Sequence, residues 1–571
     1  MSGFGKVGVV GLGTMGAGIA EVLARGGLEV VGVEVDAAAL ERGRGHLGTS
    51  TGRAVKRGKL TEEAQAAILD RITLSTEFAD LGDCDLVIEA VPERLDLKRR
   101  VFADLDRVCR PDAVLATNTS SLSVTEIAAT TDRPEAIVGV HFFNPAPVMK
   151  LVEVIGTVRT RPEHLARVAE LVRGLGKVAV TIGDRAGFVA NRLLFGYLNQ
   201  AAGMYDSGHA CREDIDTAMK AGTGLPMGPL TLLDLIGLDT SLEVLEAVYR
   251  ETRDRRHAPA PILRELVTAG LLGRKTGRGF YTYDKPGSPV VVDAPAPAAD
   301  GAPIAPPLVG VVGSGAVAVG LIETVAGAGC VVRFVASGDD EVEAVWSALD
   351  EAFGQAVARG DLDDPGRTAA LGRITGGSEP GRLAECDLVV ADAAAERSLF
   401  ATIAEAAKPG AILATTAATV PVIEIARATG RPGDVVGLHF PELPGRLVEI
   451  AASVLTDAEV VRRVAALAGR LGLTAVRCRD RAGFIVDALR FPYLNDAVRM
   501  LDAGYADADA IDAAMTLGCG YPAGPIADLD RLGLDRAVGV LRALYGESRE
   551  PALAPAPLLE EYRTAGVTAV R

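Results

Sequence analysis

Residues 6–27 read KVGVVGLGTMGAGIAEVLARGG, and residues 308–329 read LVGVVGSGAVAVGLIETVAGAG. In each, a short β-branched run ends in a glycine-rich turn and apolar residues at helical spacing follow, which predicts strand, tight turn and helix. The echo extends further. CDLVIEA from Cys84 returns as CDLVVAD from Cys386, and DRAGFVANRLLFGYLNQA from Asp184 returns as DRAGFIVDALRFPYLNDA from Asp480. Gly11 falls on Gly313 and Cys84 on Cys386 with one displacement, whereas Asp184 falls on Asp480 with a slightly smaller one. Separate blocks kept in one order with drifting spacing identify a tandem duplication.

Each copy divides again. Short β-rich runs at residues 7–10, 30–33, 86–88, 113–116 and 137–140 alternate with helical periodicities, which predicts a parallel sheet with helices on both faces. From Gly187 helical spacing takes over, as in Leu193, Leu194, Tyr197, Leu198 and Ala201, punctuated by a helix stop at Asp206-Ser207-Gly208 and a turn from Gly224 to Pro229. Prolines at 286, 289, 295, 297, 303, 306 and 307 mark a semi-rigid linker. The expected architecture is an α/β, Rossmann-like doubly wound sheet domain followed by an all-helical domain, the pair repeated twice. The boundaries are 1–186, 187–285, a linker at 286–307, 308–482 and 483–571. At about 150 residues per domain, 571 residues already imply roughly four.

With 49% hydrophobic and 23% charged residues the chain can bury cores, which excludes wholesale disorder. Its net charge of −16 argues against nucleic acid as a partner, and any anionic small ligand must be met by Lys and Arg gathered locally. Seven scattered cysteines (Cys84, Cys109, Cys211, Cys330, Cys386, Cys478, Cys519) without a C-x-x-C pair point to reduced thiols, a cytoplasmic location and no metal site. The apolar N-terminus carries glycines at fixed offsets and reads as the start of a folded domain. No stretch reaches the roughly 18 uninterrupted apolar residues of a membrane-spanning helix, so no membrane partner is expected.

Gly11-x-Gly13-x-x-Gly16 lies between a predicted strand and a predicted helix. The first glycine permits the tight turn, the second lets backbone N–H groups approach a pyrophosphate, and the third allows close helix packing. Glu34 ends the next strand, where a carboxylate accepts from ribose hydroxyls and repels a 2′-phosphate, so the cofactor expected is NAD rather than NADP. Gly11, Gly13, Met15, Gly16 and Glu34 are its candidate contacts; a solvated strand end is the alternative for Glu34.

Four polar residues stand where an open α/β sheet presents ligands or at the domain junction. They are Ser120 in ATNTSSL, His141 at the end of the 137–140 strand, Glu153 in KLVEVI, and Asn191 on the first helix of the helical domain. Imidazole suits proton exchange near neutrality, and a carboxylate partner would set its tautomer. On spacing alone a buried structural His and capping Ser and Asn fit as well.

NTSSL, HFFNPAPVMKLVEVI, DRAGFVANRLL, DIDTAMKAGTGLPMGPLTLLDLIGLDT and GRKTGRGFY closely resemble the short-chain L-3-hydroxyacyl-CoA dehydrogenases. The likeness covers essentially all of residues 5–285. It implies NAD-dependent, reversible oxidation of a 3-hydroxyacyl-CoA, with His141 as base, Glu153 as its orienting partner, and Ser120 and Asn191 donating to the substrate oxygen. It also implies Glu93, Lys98, Asn144 and Lys275 near the cofactor. Lys56, Arg57 and Lys59, beside Ser50, are the densest basic cluster of the first sheet domain and match the region that family members use for the CoA phosphates; a solvated helix face is the plainer account.

In the second copy Gly16 becomes Ala318, Glu34 becomes Ala336, Ser120 becomes Ala418 and Asn191 becomes Asp487. His141 and Glu153 persist as His439 and Glu449, with the intervening loop shortened. The second copy is therefore expected to be a degenerate, inactive one that serves as an intrachain pseudo-dimer partner, with further homo-oligomer formation left open. Two alternatives stand beside this reading: a dehydrogenase of a non-CoA hydroxy acid such as gulonate, and a nucleotide-binding protein without enzymatic activity.

Overall fold

The computed structural model describes residues 3–293, 307–392, 397–442 and 445–571; the linker prolines Pro295, Pro297, Pro303 and Pro306 lie outside them. The first copy supplies β1 (Lys6–Val10), β2 (Glu29–Val33), β3 (Ile72–Ser75), β4 (Leu86–Glu89), β5 (Val114–Thr117), β6 (Ile137–Phe142), β7 (Leu151–Gly156) and β8 (Val178–Gly183). They form one sheet in the order β3-β2-β1-β4-β5-β6-β7-β8, parallel except where β6 meets β7. The second copy repeats it with β9 (Leu308–Val312), β10 (Val331–Val335), β11 (Ile374–Gly377), β12 (Leu388–Ala391), β13 (Ile412–Thr415), β14 (Val435–His439), β15 (Leu447–Ala452) and β16 (Thr474–Arg479). Buried on both faces, β1, β4 and β5 have few or no polar positions, as continuous apolar runs require.

After each sheet the chain turns helical. Helix Ala190–Asp206 ends at the predicted Asp206-Ser207-Gly208 stop, and helix Arg212–Thr223 ends on Gly224 in the left-handed conformation (φ +71). Residues 286–293, read from sequence as the start of the linker, are instead folded onto this domain. Val291 bridges to Tyr283, and Arg212 holds Asp293 at 3.1 Å. Pairing of this segment overrides its proline content.

The two copies meet through their helical regions. Each of the two sheets has its own core on one face, while a third core runs continuously from the other face of the first sheet, through both helical regions, to the second sheet. Across the junction Gln200 donates to Ala488 O at 2.7 Å, the Arg479 amide donates to His209 O at 2.9 Å, and the Tyr197, Tyr493 and Tyr521 rings pack together. Helix Arg212–Thr223 lies on β15 and β16, and the second copy's corresponding segment lies reciprocally on β7 and β8. Glycines permit both approaches. A Cβ on Gly222 would stand 2.8 Å from Leu447, and one on Gly518 2.7 Å from Leu151. The symmetry is broken locally, because residues Ala514–Gly518 form a π-helical turn where the first copy keeps an α-helix. Among the described residues no helix is long and apolar enough to cross a membrane, and no three His, Cys, Asp or Glu are grouped to hold a metal ion.

Candidate active site

Helix Thr14–Arg25 begins at Gly13 with no side-chain cap, so its first amides remain available to an anion. Nothing lies within 4 Å of where a Gly13 Cβ would be, Gly11 adopts φ +86, and a Gly16 Cβ would strike Gly11 O at 1.7 Å. Each glycine thus meets the demand its spacing implies. Met15 is half-buried on the first helical turn. Glu34, just past β2, accepts from the Leu12 amide at 2.6 Å and from the Val35 amide at 3.1 Å. A Cβ on Gly18 would touch Ala146 and Pro147 at 3.2 Å, so the loop bearing exposed Asn144 runs beside the same helix. An uncapped helix start, a glycine turn and a carboxylate at the adjacent strand end fit the phosphates and ribose of a dinucleotide.

Ser120 sits in the turn after β5, and one carboxylate organises that turn. Glu93 Oε1 accepts from Thr119 Oγ1 (2.7 Å), the amides of Ser120 (2.8 Å) and Ser121 (3.0 Å), and the hydroxyls of Ser120 (3.2 Å) and Ser121 (3.1 Å). Burial raises the Glu93 pKa, but Lys98 and these donors outweigh it and hold the carboxyl below its ordinary range. Lys98 is itself fully buried between Glu89 (2.7 Å) and Glu93 (3.3 Å), and Thr117 donates to Glu89 at 2.8 Å. Lys98 therefore braces the 119–121 turn through Glu93. Sequence reading missed Glu89, Thr119 and Ser121. Nothing in their local pattern signals that donors from separate segments converge on one oxygen.

The sequence placed His141 at the end of the 137–140 strand; β6 runs one residue further, through Phe142, so His141 is its penultimate residue. Antiparallel pairing sets His141 directly opposite Glu153 on β7, and Nδ1 stands 2.7 Å from Glu153 Oε2. Glu153 is fully buried. Its other oxygen accepts from the Val189 and Ala190 amides, each at 3.1 Å, at the start of helix Ala190–Asp206. That helix end favours the carboxylate's charge, so Nδ1–H donates to it and Nε2 is left as the basic nitrogen. Phe188, in the left-handed region at φ +47, directs those amides and places its ring 5.6 Å from the imidazole; the Phe143 ring lies 4.5 Å from it. The same helix carries Asn191, whose amide reaches Ser120 O at 3.4 Å. Ser120, His141, Glu153 and Asn191 thus converge from β5, β6, β7 and the helical domain.

The remaining candidates lie apart. Lys275 is held by Asp239 at 2.5 Å in the helical domain, and among the described residues no hydrogen bond or ion pair ties it to the glycine turn. Ser50 lies within helix Ala37–Lys56, and Lys56, Arg57 and Lys59 lie at and just beyond its C-terminal end. The three cations are exposed and have no ion-pair partner among the described residues.

In the second copy the corresponding groups are closed on one another. His439 Nδ1 pairs with Glu449 at 2.6 Å, but its Nε2 faces Asp487 at 3.5 Å, and Arg536 holds Asp487 at 3.2 Å. Burial alone would lower the His439 pKa; Asp487 and Glu449 outweigh it and raise the value above the ordinary one. The position of Ala90 is taken by Asp392, whose carboxylate accepts from the Ala318 amide at 3.3 Å and from Thr416 Oγ1 at 3.1 Å. A fixed negative charge occupies the helix start where a phosphate would bind.

Family comparison agrees with this geometry. The model described as 3-hydroxyacyl-CoA dehydrogenase, NAD binding domain, matches residues 6–185 and again 308–481; the C-terminal domain of the same family matches 187–283 and 483–569. A 3-hydroxybutyryl-CoA dehydrogenase of Mycobacterium tuberculosis is 48% identical over 280 residues, 49% of this chain and 98% of that protein. A 3-hydroxyadipyl-CoA dehydrogenase of Escherichia coli is 32% identical over 547 residues, 95% of this chain and 94% of that protein. The crystal structure of an Escherichia coli 3-hydroxybutyryl-CoA dehydrogenase covers 98% of both chains with a TM-score of 0.74 at 30% identity. The chain belongs to the 3-hydroxyacyl-CoA dehydrogenase family and carries both of its domains twice.

Proposed function

We propose that the first copy reversibly oxidises short-chain L-3-hydroxyacyl-CoA to 3-oxoacyl-CoA. The observation that carries this is the His141–Glu153 pair, locked by the start of the helix that also presents Asn191, facing the Ser120 turn. Gly11, Gly13, Gly16 and Glu34 hold NAD, which when bound supplies the acceptor for the C3 hydride. His141 Nε2 removes the hydroxyl proton, and buried Glu153 stabilises the imidazolium that results. Asn191 donates to the substrate oxygen. Ser120 joins it by rotating its hydroxyl away from Glu93, which keeps its other donors. In the reverse direction the imidazolium returns the proton. Lys56, Arg57 and Lys59 receive the CoA phosphates. The free thiols support action in the reducing cytoplasm.

The second copy takes the place of a second subunit, making each chain a pseudo-dimer with one working site. The continuous core through both helical regions supports this, as do the closed His439 and Asp392 clusters. NADH oxidation with acetoacetyl-CoA tests the assignment. His141→Ala should lower turnover by roughly 10² to 10⁴ while NADH still binds. Near-normal turnover in that variant, or activity on gulonate without any on acyl-CoA, would remove it.

A further inference from the structure

A cavity of about 660 Å³ lies between the copies, at the ends of β7 and β8 beside Gly156 and Gly183. Because β7 runs antiparallel to β6, Gly156 pairs with Val138 near the start of β6, at the opposite end from His141. This space is separate from the cleft described above.

Its walls contain polar groups that the protein leaves unmatched. Arg192, on helix Ala190–Asp206, has no carboxylate within ion-pair distance among the described residues, and burial lowers its pKa. The Tyr505 hydroxyl and Arg499 Nε, from the second copy, are buried without a hydrogen-bond partner. Of the other charges around the cavity, exposed Arg185 reaches Asp184 O at 3.5 Å and the rest are paired. Arg256 is paired with Asp254 and Asp496, and Asp184 accepts from Ser123 Oγ and the amides of Val124 and Thr125. His257 is neutral near pH 7, since burial pushes its pKa down to about 4, and its Nε2–H donates to Arg192 O. The pseudo-symmetric positions lack the unmatched set: Arg192 corresponds to Ala488, and Tyr505 to His209, whose ring donates to Phe484 O at 2.9 Å.

A half-buried guanidinium, a second guanidinium N–H and a phenol O–H are all donors, and neither guanidinium has a carboxylate within ion-pair distance among the described residues. Burying such a set is unfavourable unless an acceptor of negative charge completes it. We propose that this cavity is a second, non-catalytic binding site for a phosphate- or carboxylate-bearing small molecule, held between Arg192 of the first copy and Arg499 and Tyr505 of the second. Guanidinium matches the paired oxygens of either anion, the phenol supplies a further donor, and Leu193 and Met500 offer an apolar wall for the ligand's body.

The test is calorimetric titration of the full chain, saturated with NAD and CoA so that the sites for their phosphates are filled. Inorganic phosphate and succinate serve as separate probes, which distinguishes the two head groups. At least one should bind saturably in the millimolar range. Arg192→Gln should weaken it about tenfold or more, Tyr505→Phe by a smaller factor, and Arg481→Gln, an equal charge loss outside the cavity, not at all. Without ligand, Arg192→Gln should melt no lower than wild type, because the arginine has no partner to lose. Unchanged affinity in both Arg192→Gln and Tyr505→Phe overturns the proposal, as does the absence of saturable binding for both probes. If Arg192→Gln does not fold, Tyr505→Phe decides alone, unchanged affinity again overturning it.

Discussion

Substitution Gly518→Ala, in the second copy, should slow chemistry in the first. The new Cβ would stand 2.7 Å from Leu151 Cδ2 and 3.3 Å and 3.4 Å from two atoms of the Phe143 ring. Leu151 is fully buried and cannot retreat into solvent, so several tenths of an ångström must be absorbed by the ring or by the docking of the two copies. Phe143 lies 4.5 Å from the His141 imidazole, so its displacement reaches the proton-transferring nitrogen. Overpacking of this kind costs about 1–3 kcal/mol of stability. Since a 1 Å misplacement can cost about 10²-fold in rate, a shift of this size should lower kcat roughly tenfold. The KM for NADH should change less than kcat, because the new contact falls on Leu151 and Phe143 and not on the glycine turn. Gly222→Ala is the internal control. Its Cβ would crowd Leu447 at 2.8 Å and Val486 at 2.9 Å, with similar loss of stability, but it presses on the second copy's closed site. Steady-state kinetics with acetoacetyl-CoA and thermal melting of both variants decide the matter. Equal effects on kcat from the two substitutions, or none from either, would refute the reasoning; recovery of kcat in Gly518→Ala/Leu151→Ala would trace the effect to the contact.

Reversing Lys56 and Arg57 to Glu should raise the KM for acyl-CoA and leave that for NADH unchanged, with the effect fading at high salt; parallel changes in both constants would count against a role in holding CoA. His439 should make second-copy stability depend on pH. Its folded pKa is raised above the ordinary value of about 6.5, so the stability it brings is present in full below about pH 6.5 and is lost as pH rises through the higher folded value. The melting difference between wild type and His439→Gln should therefore shrink on going from pH 6 towards alkaline pH; a difference that widened would contradict the charged Glu449–His439–Asp487 arrangement.

Much of the architecture is legible along the chain because it is encoded at short range. The repeat is written in matched blocks, strands in β-branched runs, and the nucleotide turn in Gly11, Gly13 and Gly16, whose spacing is itself the geometric requirement. Glu34 is equally readable, since a strand end adjacent to that turn can face only one part of a dinucleotide. The resemblance to a family identified His141 and Glu153, but spacing alone left a structural histidine as good an account.

What only the tertiary structure decides are the relations between remote residues. Strand pairing sets Glu153 against His141, and the helix start at Val189 and Ala190 adds the charge stabilisation that fixes the tautomer. Glu93 gathers donors from one turn and a buried lysine from another segment, a convergence no periodicity encodes. In sequence, the second copy had merely lost residues; in the fold, Asp487 and Asp392 fill the space those losses would have left open. Gly518 looks like any helical glycine until the copies dock and bring it against Phe143. Local pattern determines which elements form, whereas register and packing determine which side chains meet, and here both the His141–Glu153 pair and the closed His439 cluster depend on those meetings.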